Sequence, residues 1–319
     1  MSNPTYVPKI YKDQGGNRQT FAPGSEMRIQ GAVTGLVPGT DYYVDSANGS
    51  DSNSGLSWAA AVATLDYAIG LCTANTGARI FLAPWHAENI TAADSVDCDV
   101  AGVEIIGLCR GNQVPTFSAT AAAGSITVDA ANVTIRNLKL VANFATGCTS
   151  AFTITAEGDG CTLDGCYCRD TATNKEWLVH VSVATTVADL MVENCSFVGL
   201  IAESMTNCIL FAGTSTDCTI RNNYIFVDSS DDTIDHLAGA SVNLHVYDNT
   251  IINQDTTTAL YCFRNKSDGT GSVHNNLCGY NKVDAEMLVG AATWFFQNFA
   301  SNTIAESGLL DPATSHAIP

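Results

Sequence analysis

The strongest constraint on this chain is a repeat. Eight segments between Val103 and Ser301 share one pattern: "VEIIGLCR" from Val103, "VTIRNLKL" from Val133, "CTLDGCYC" from Cys161, "LMVENCSF" from Leu190, "CTIRNNYI" from Cys218, "LHVYDNTI" from Leu244, "SVHNNLCG" from Ser272 and "WFFQNFAS" from Trp294. The spacings are 30, 28, 29, 28, 26, 28 and 22 residues. A self-similar period of this size marks stacked units, each burying its apolar face only against its neighbours.

The unit itself is readable. Positions one and three are mostly apolar, as in Val133/Ile135 and Cys218/Ile220, and position two is often polar. Such alternation predicts a strand with one buried face. Position five is Gly107, Asn137, Gly165, Asn194, Asn222, Asp248, Asn276 and Asn298. These residue types tolerate a left-handed backbone, so position five predicts a corner between two strands. Positions six and eight then face inward again, as in Leu138/Leu140 and Cys166/Cys168. A third short apolar run precedes the unit, as in "SITVDA", "AFTIT", "LVHVSV", "CILFA" and "ALYCF". Three short strands per repeat make one coil of a right-handed parallel β-helix, an all-β solenoid. Eight coils at about 4.8 Å give a rod about 40 Å long.

The repeat, with its asparagine-rich corner, resembles the pectin-lyase-like β-helix superfamily over residues 41–301. The resemblance implies the fold. It implies no single activity, because this fold carries many unrelated ones.

Twelve cysteines would be unusual for a disulfide framework here, since "MSNPTYVPKI" lacks the apolar core of a secretion signal. Cys161 and Cys218 share an inward position, as do Cys166 and Cys195, so the expectation is free thiols packed in the core. Cys166-x-Cys168 is not zinc-site spacing, and no metal or other cofactor is expected. The net charge of −18 argues against a nucleic-acid partner. The absence of any apolar run of about 18 residues argues against a membrane span.

Residues 1–40 stand outside the repeat. Lys9, Lys12, Arg18 and Arg28 against Asp13 and Glu26 make this arm +2 on a remainder of −20, and these four cations are the expected docking residues. The stretch "YKDQGGNRQTFAPGSEMRIQGAV" resembles the start of many phage virion proteins. That resemblance implies assembly in the host cytoplasm and a place on the virion. It also implies a homotrimer and contact with the major capsid protein or other virion proteins.

The next segment reads as strand, polar loop, helix, strand, and it resembles the entry cap of bacterial and viral β-helix proteins. Trp58, Val62, Leu65, Ile69 and Cys72 share a helical face, so an amphipathic capping helix is expected near 58–73, with Ser57 as N-cap. Asp45, Asn48, Asp51 and Asn53 crowd the loop before it. Val62 stands where a calcium loop beginning at Asp51 would need a Glu, so an ordinary turn is expected. Residues 302–319 read as a tail.

Two outward clusters carry possible chemistry. Position four runs Ile106, Arg136, Asp164, Glu193, Arg221, Tyr247, Asn275, which predicts a ladder of ion pairs between neighbouring rungs or a site built from Arg136, Asp164, Glu193 and Arg221. The second cluster is "DSSDDTIDH", holding Asp228, Asp231, Asp232, Asp235 and His236. The pair Asp231-Asp232 resembles one element of the polygalacturonase site. The Gly-His-Gly and Arg-x-Lys elements of that family are absent, and a polar loop is the plainer expectation. Asp231, Asp232 and His236 are thus the catalytic candidates. Few basic residues and no complete motif weaken the enzyme reading, and the virion resemblance implies instead a non-enzymatic structural protein, a decoration or cement protein on the capsid surface. The alternative is a tailspike-like protein that binds or degrades a polysaccharide.

Overall fold

The computed structural model describes the strands Ile10–Lys12 and Gln19–Phe21, and residues 39–310 apart from 173, 185, 200–204, 256–260, 281–287, 290–291 and 302–307. The chain divides into two compact units, Met1–Val37 and Pro38–Pro319. In the first, the two strands pair antiparallel, with Ile10 opposite Phe21.

The second unit is a parallel β-helix. Sheet I has ten strands, from Asp41–Val44 to Thr293–Phe296, and supplies the strand before each corner. Sheet II, also of ten, supplies the strand after it, and sheet III, of eight, closes the coil. One coil, that of Arg79–Leu82, and before it the single sheet I strand Asp41–Val44, thus precede the eight repeats legible in the sequence. Along sheet I the partners stack without stagger: Ile80, Ile105, Ile135, Leu163, Val192, Ile220, Val246, Val273. All of these are buried, so alternation along each strand becomes one continuous apolar column.

The corners hold for the middle repeats. Asn137, Gly165, Asn194, Asn222 and Asp248 have φ of 56, 63, 54, 54 and 57°. At the other three the expected positions are corrected. The first left-handed residue is Cys109 (φ 69°), not Gly107. Gly107 serves close approach instead, since a Cβ there would sit 2.1 Å from the Asn137 carbonyl oxygen. In the last two repeats the corners are Asn275 and Gln297, at φ 55 and 54°, because their sheet I strands begin one residue earlier, at Gly271 and Thr293.

That shift puts Asn276 and Asn298 inside, beneath Asn223 and Asn249. Each side chain spans two rungs. Asn249 Oδ1 accepts from the Asn223 backbone N–H at 2.9 Å, while its Nδ2 donates to the Ile220 carbonyl at 3.0 Å and to Asn276 Oδ1 at 3.0 Å. Asn276 and Asn298 repeat the arrangement. A buried amide column is tolerable only when each member is satisfied, and here the next rung satisfies it.

All twelve cysteines are free, and ten are buried. Cys72 is half-buried and Cys109 is exposed.

The capping helix is shorter than expected, Leu65–Gly70. Val62 pairs with Val44 as a parallel bridge, which breaks the helical run at that residue. Ser57 instead precedes a single 3₁₀ turn, Trp58–Ala60. Glu88 accepts from the Leu65 N–H at 3.0 Å and from the His86 ring at 3.0 Å. Leu65, Ala68 and Ile69 form the buried face, against Asp41–Val44 and Val96–Cys98. In the loop before it, Asp45 accepts from Ala47 and Asn48, and Asp51 from Ala63 and Thr64. At the far end Gly308–Leu310 adds an antiparallel strand to Asn298–Ser301. Among the described residues no helix is long and apolar enough to cross a membrane.

Candidate functional site

The acidic segment lies on sheet III. In the strand Ile234–His236, Ile234 and His236 point into the core, so Asp235 between them faces outward. On the next rung Asp235 is in direct register with Arg264. Arg264 Nη1 reaches the Asp232 carboxylate at 3.2 Å, and its guanidinium carbon lies 5.0 Å from the centre of the Tyr261 ring. Asp232 also accepts from the Tyr261 N–H at 2.9 Å. Asp231 is exposed, and its carboxylate accepts from the Asp232 N–H at 2.8 Å. Thus Asp232 serves as a hinge-pin: its carboxylate holds the next rung, and its own amide holds Asp231.

The surroundings of these acids shape their proton affinity. Burial raises the Asp235 carboxyl to about 6, and the Asp232 and Asp231 charges add to that against the Leu237 N–H and Arg264. Burial also raises Asp232, while the Tyr261 N–H and Arg264 oppose it. The site therefore holds a carboxyl that keeps a proton into mildly acidic solution, beside an ion-paired carboxylate, an exposed carboxylate and a guanidinium.

Two of the three sequence candidates belong to this cluster, Asp231 and Asp232. His236 lies on the other side of the wall. It is buried, stacked on Phe211 at 4.5 Å, and its ring nitrogens meet Ser215 Oγ at 2.7 Å and the Gly239 carbonyl at 3.0 Å. Its place is in the core behind Asp235. Arg264 and Tyr261 went unnoticed in the sequence, because "ALYCF" reads as an interior run and nothing local ties it to Asp232.

The second cluster lies on sheet I and forms three ion pairs in two groups, one around Arg136 and one around Arg221. Arg136 sits 3.4 Å from Glu104 and 3.7 Å from Asp164. Arg221 grips Glu193 through Nη2 at 2.6 Å and Nε at 2.8 Å, and its Nη1 donates to the Tyr247 hydroxyl at 3.2 Å. Position four then continues through His274 and Phe296, not Asn275, owing to the one-residue shift. The Tyr247, His274 and Phe296 rings stack nearly parallel, with centres 5.0 and 4.5 Å apart.

Lys9, Arg18 and Arg28 lie outside the described residues, and Lys12 is described only as part of a strand backbone. Among the described residues no group of three or more His, Cys, Asp or Glu side chains is arranged to hold a metal ion.

No protein-family model and no curated protein matches the chain. Among solved structures it is similar to a rhamnogalacturonan lyase, at 10% identity and a TM-score of 0.45, covering 86% of this chain and 90% of that one. It is similar to a pectin methylesterase at 12% identity and a TM-score of 0.44, covering 83% and 90%. It is also similar to the GH136 lacto-N-biosidase from Eubacterium ramulus, at 11% identity and a TM-score of 0.43. That match covers 82% of this chain, which spans 60% of the biosidase.

The fold is a parallel β-helix.

These likenesses concern architecture. The expectation of a non-enzymatic protein is corrected to this extent: the three solved structures named are enzymes, a lyase, a methylesterase and a biosidase, and their likeness to this chain is one of fold alone. That expectation rested on a missing motif and a scarcity of cations. Neither counts against a site assembled from separate coils, whose members need no fixed spacing in sequence.

Proposed function

We propose that the protein degrades a polysaccharide, with Asp235 and Arg264 on sheet III and Asp231 in the bend before it at the point of cleavage. The observation that carries this reading is the register of Asp235 with Arg264, on a face that also holds Asp231 and the Arg264–Asp232 ion pair. Two carboxyl groups with different surroundings are what acid–base cleavage of a glycosidic bond requires. Asp235 carries the proton to the glycosidic oxygen as the bond from that oxygen to the anomeric carbon breaks. Asp231 accepts a proton from the water whose oxygen forms the new bond to that carbon. Arg264, fixed by Asp232, donates hydrogen bonds to substrate hydroxyls beside the breaking bond. A net charge of −18 disfavours a polyanion, so the substrate class is an uncharged glycan.

The test is chain shortening, read by size-exclusion chromatography and reducing-end release. The panel would be soluble β-glucan, galactomannan, dextran and, as the anionic member, polygalacturonate. Cleavage of an uncharged member, lost in Asp235→Asn, supports the proposal. No cleavage of any member, or an undiminished Asp235→Asn, overturns it.

A further inference from the structure

We infer that the outer face of sheet I, around Tyr247, His274, Trp294 and Phe296, is a separate binding surface for an uncharged glycan chain. This rests on the glycan reading above and adds to it a second point of attachment.

The face is laid out by the register. One column carries His245, Ser272 and Trp294, and the next carries Arg221, Tyr247, His274 and Phe296. Trp294 is 70% exposed and Phe296 43%. Aromatic side chains left open to water beside polar groups are the usual means of gripping a ligand that has both apolar C–H faces and hydroxyls. The polar groups are present and already oriented. Arg221 is held by Glu193 and Tyr247, and His245 Nδ1 meets Ser272 Oγ at 2.8 Å.

Charge selects the class of ligand. Arg221 and Glu193 neutralise each other, and Asp248 at the corner is the carboxylate acting on His274. With the Arg221 charge paired beside these rings, the face, on a chain of −18, repels a polyanion. An uncharged polymer meets no such barrier. Its repeating rings also suit a surface that repeats once per rung, about every 4.8 Å.

Topology places this face on the same coils as the acid site. The strand Ile234–His236 is followed, after the short strand Ser241–Val242, by Leu244–Tyr247, and Phe263–Asn265 by Gly271–His274. A glycan held on sheet I would therefore be retained close to the coils that carry Asp235 and Arg264. Linking two weak contacts in this way raises the effective concentration at the second.

Affinity gel electrophoresis with β-glucan, galactomannan, dextran or polygalacturonate cast in the gel tests the inference. At least one uncharged polymer should retard the protein. The Trp294→Ala/Phe296→Ala variant should bind it at least tenfold more weakly, while the surface control Trp58→Ala should bind as wild type does. Near-ultraviolet circular dichroism and thermal melting of the double variant guard against misfolding. Retardation by polygalacturonate alone, by no polymer, or equally for the folded double variant overturns the inference. So does a wild-type dimer in sedimentation that the double variant loses. The two proposals fail separately: polymer cleavage with Trp294-independent binding leaves only the acid site, and Trp294-dependent binding without cleavage leaves only this surface.

Discussion

Arg264 reaches back one rung to Asp232, whose carboxylate is 1% exposed, and closes a 3.2 Å ion pair across the coil boundary. Removing the cation strands a buried carboxylate. Arg264→Ala should therefore cost about 2 kcal/mol, less than a fully buried pair because water already reaches the guanidinium. The double variant with Asp232→Asn should recover part of that loss. Urea unfolding of the four proteins of this cycle checks both statements, and strictly additive losses would remove the pair from the account.

Asp235→Asn should abolish cleavage, by on the order of 100-fold or more, the usual yield of a positioned acid. The fold should persist, because an outward carboxyl raised to about 6 by burial is not what holds the strand. The rate should fall as pH rises through about 6, as Asp235 loses its proton. A rate still rising between pH 6 and 8 would assign the acid elsewhere.

Stability should also depend on pH, with opposing contributions. His180 is fully buried, stacked on Phe197 at 5.4 Å, and burial lowers it to about 3, with a smaller push from Arg169. A base with a depressed folded pKa contributes stability above its unfolded value of about 6.5, and loses it as pH falls toward 3. The full effect is on the order of 4 kcal/mol. Asp97 and Asp235 act in the opposite sense. Burial raises each to about 6, helped at Asp97 by Asp99, Asp129, Asp94 and Asp66, so their cost at neutral pH is relieved as pH falls through 6. Melting temperatures from pH 7 to 4 should fall less steeply in His180→Leu than in wild type. Parallel curves would mean that His180 is not the group that titrates.

Asn249→Ala should be among the most damaging single changes in the solenoid, costing about 3 kcal/mol. It orphans the Asn223 N–H above and takes one donor each from the Ile220 carbonyl and from Asn276 Oδ1. Asn222→Ala, one residue before the ladder at a φ of 54°, should cost about 1 kcal/mol through backbone strain alone. Chemical denaturation of the two variants distinguishes an amide column from a simple corner preference.

Much of the architecture was legible because its causes are local. Val133/Ile135 and Cys218/Ile220 announce the inward face, and Asn137, Asn194 and Asn222 announce the corner, each within a few residues. The capping helix was overextended for the opposite reason. Its apolar spacing from Trp58 onward is helical, yet Val62 is claimed by Val44 from a distant strand. His274 was assigned to the interior and Asn276 to the corner because the repeat was read from Ser272, whereas its strand begins one residue earlier, at Gly271. A slip of one exchanges the two faces of a strand.

The sequence by itself therefore determined the coil: the period, the alternation, the left-handed corner and the acidic charge. Only the tertiary structure decided which side chains meet. Asp232 finds Arg264 32 residues on, and Tyr247 finds His274 and Phe296, because stacked coils bring together residues a full turn apart. Which residues those are depends on the length of every loop between them. His236, adjacent to Asp235 in sequence, ends in the core for the same reason: successive residues of a strand face opposite ways, and the packing of the coil chooses which side meets water.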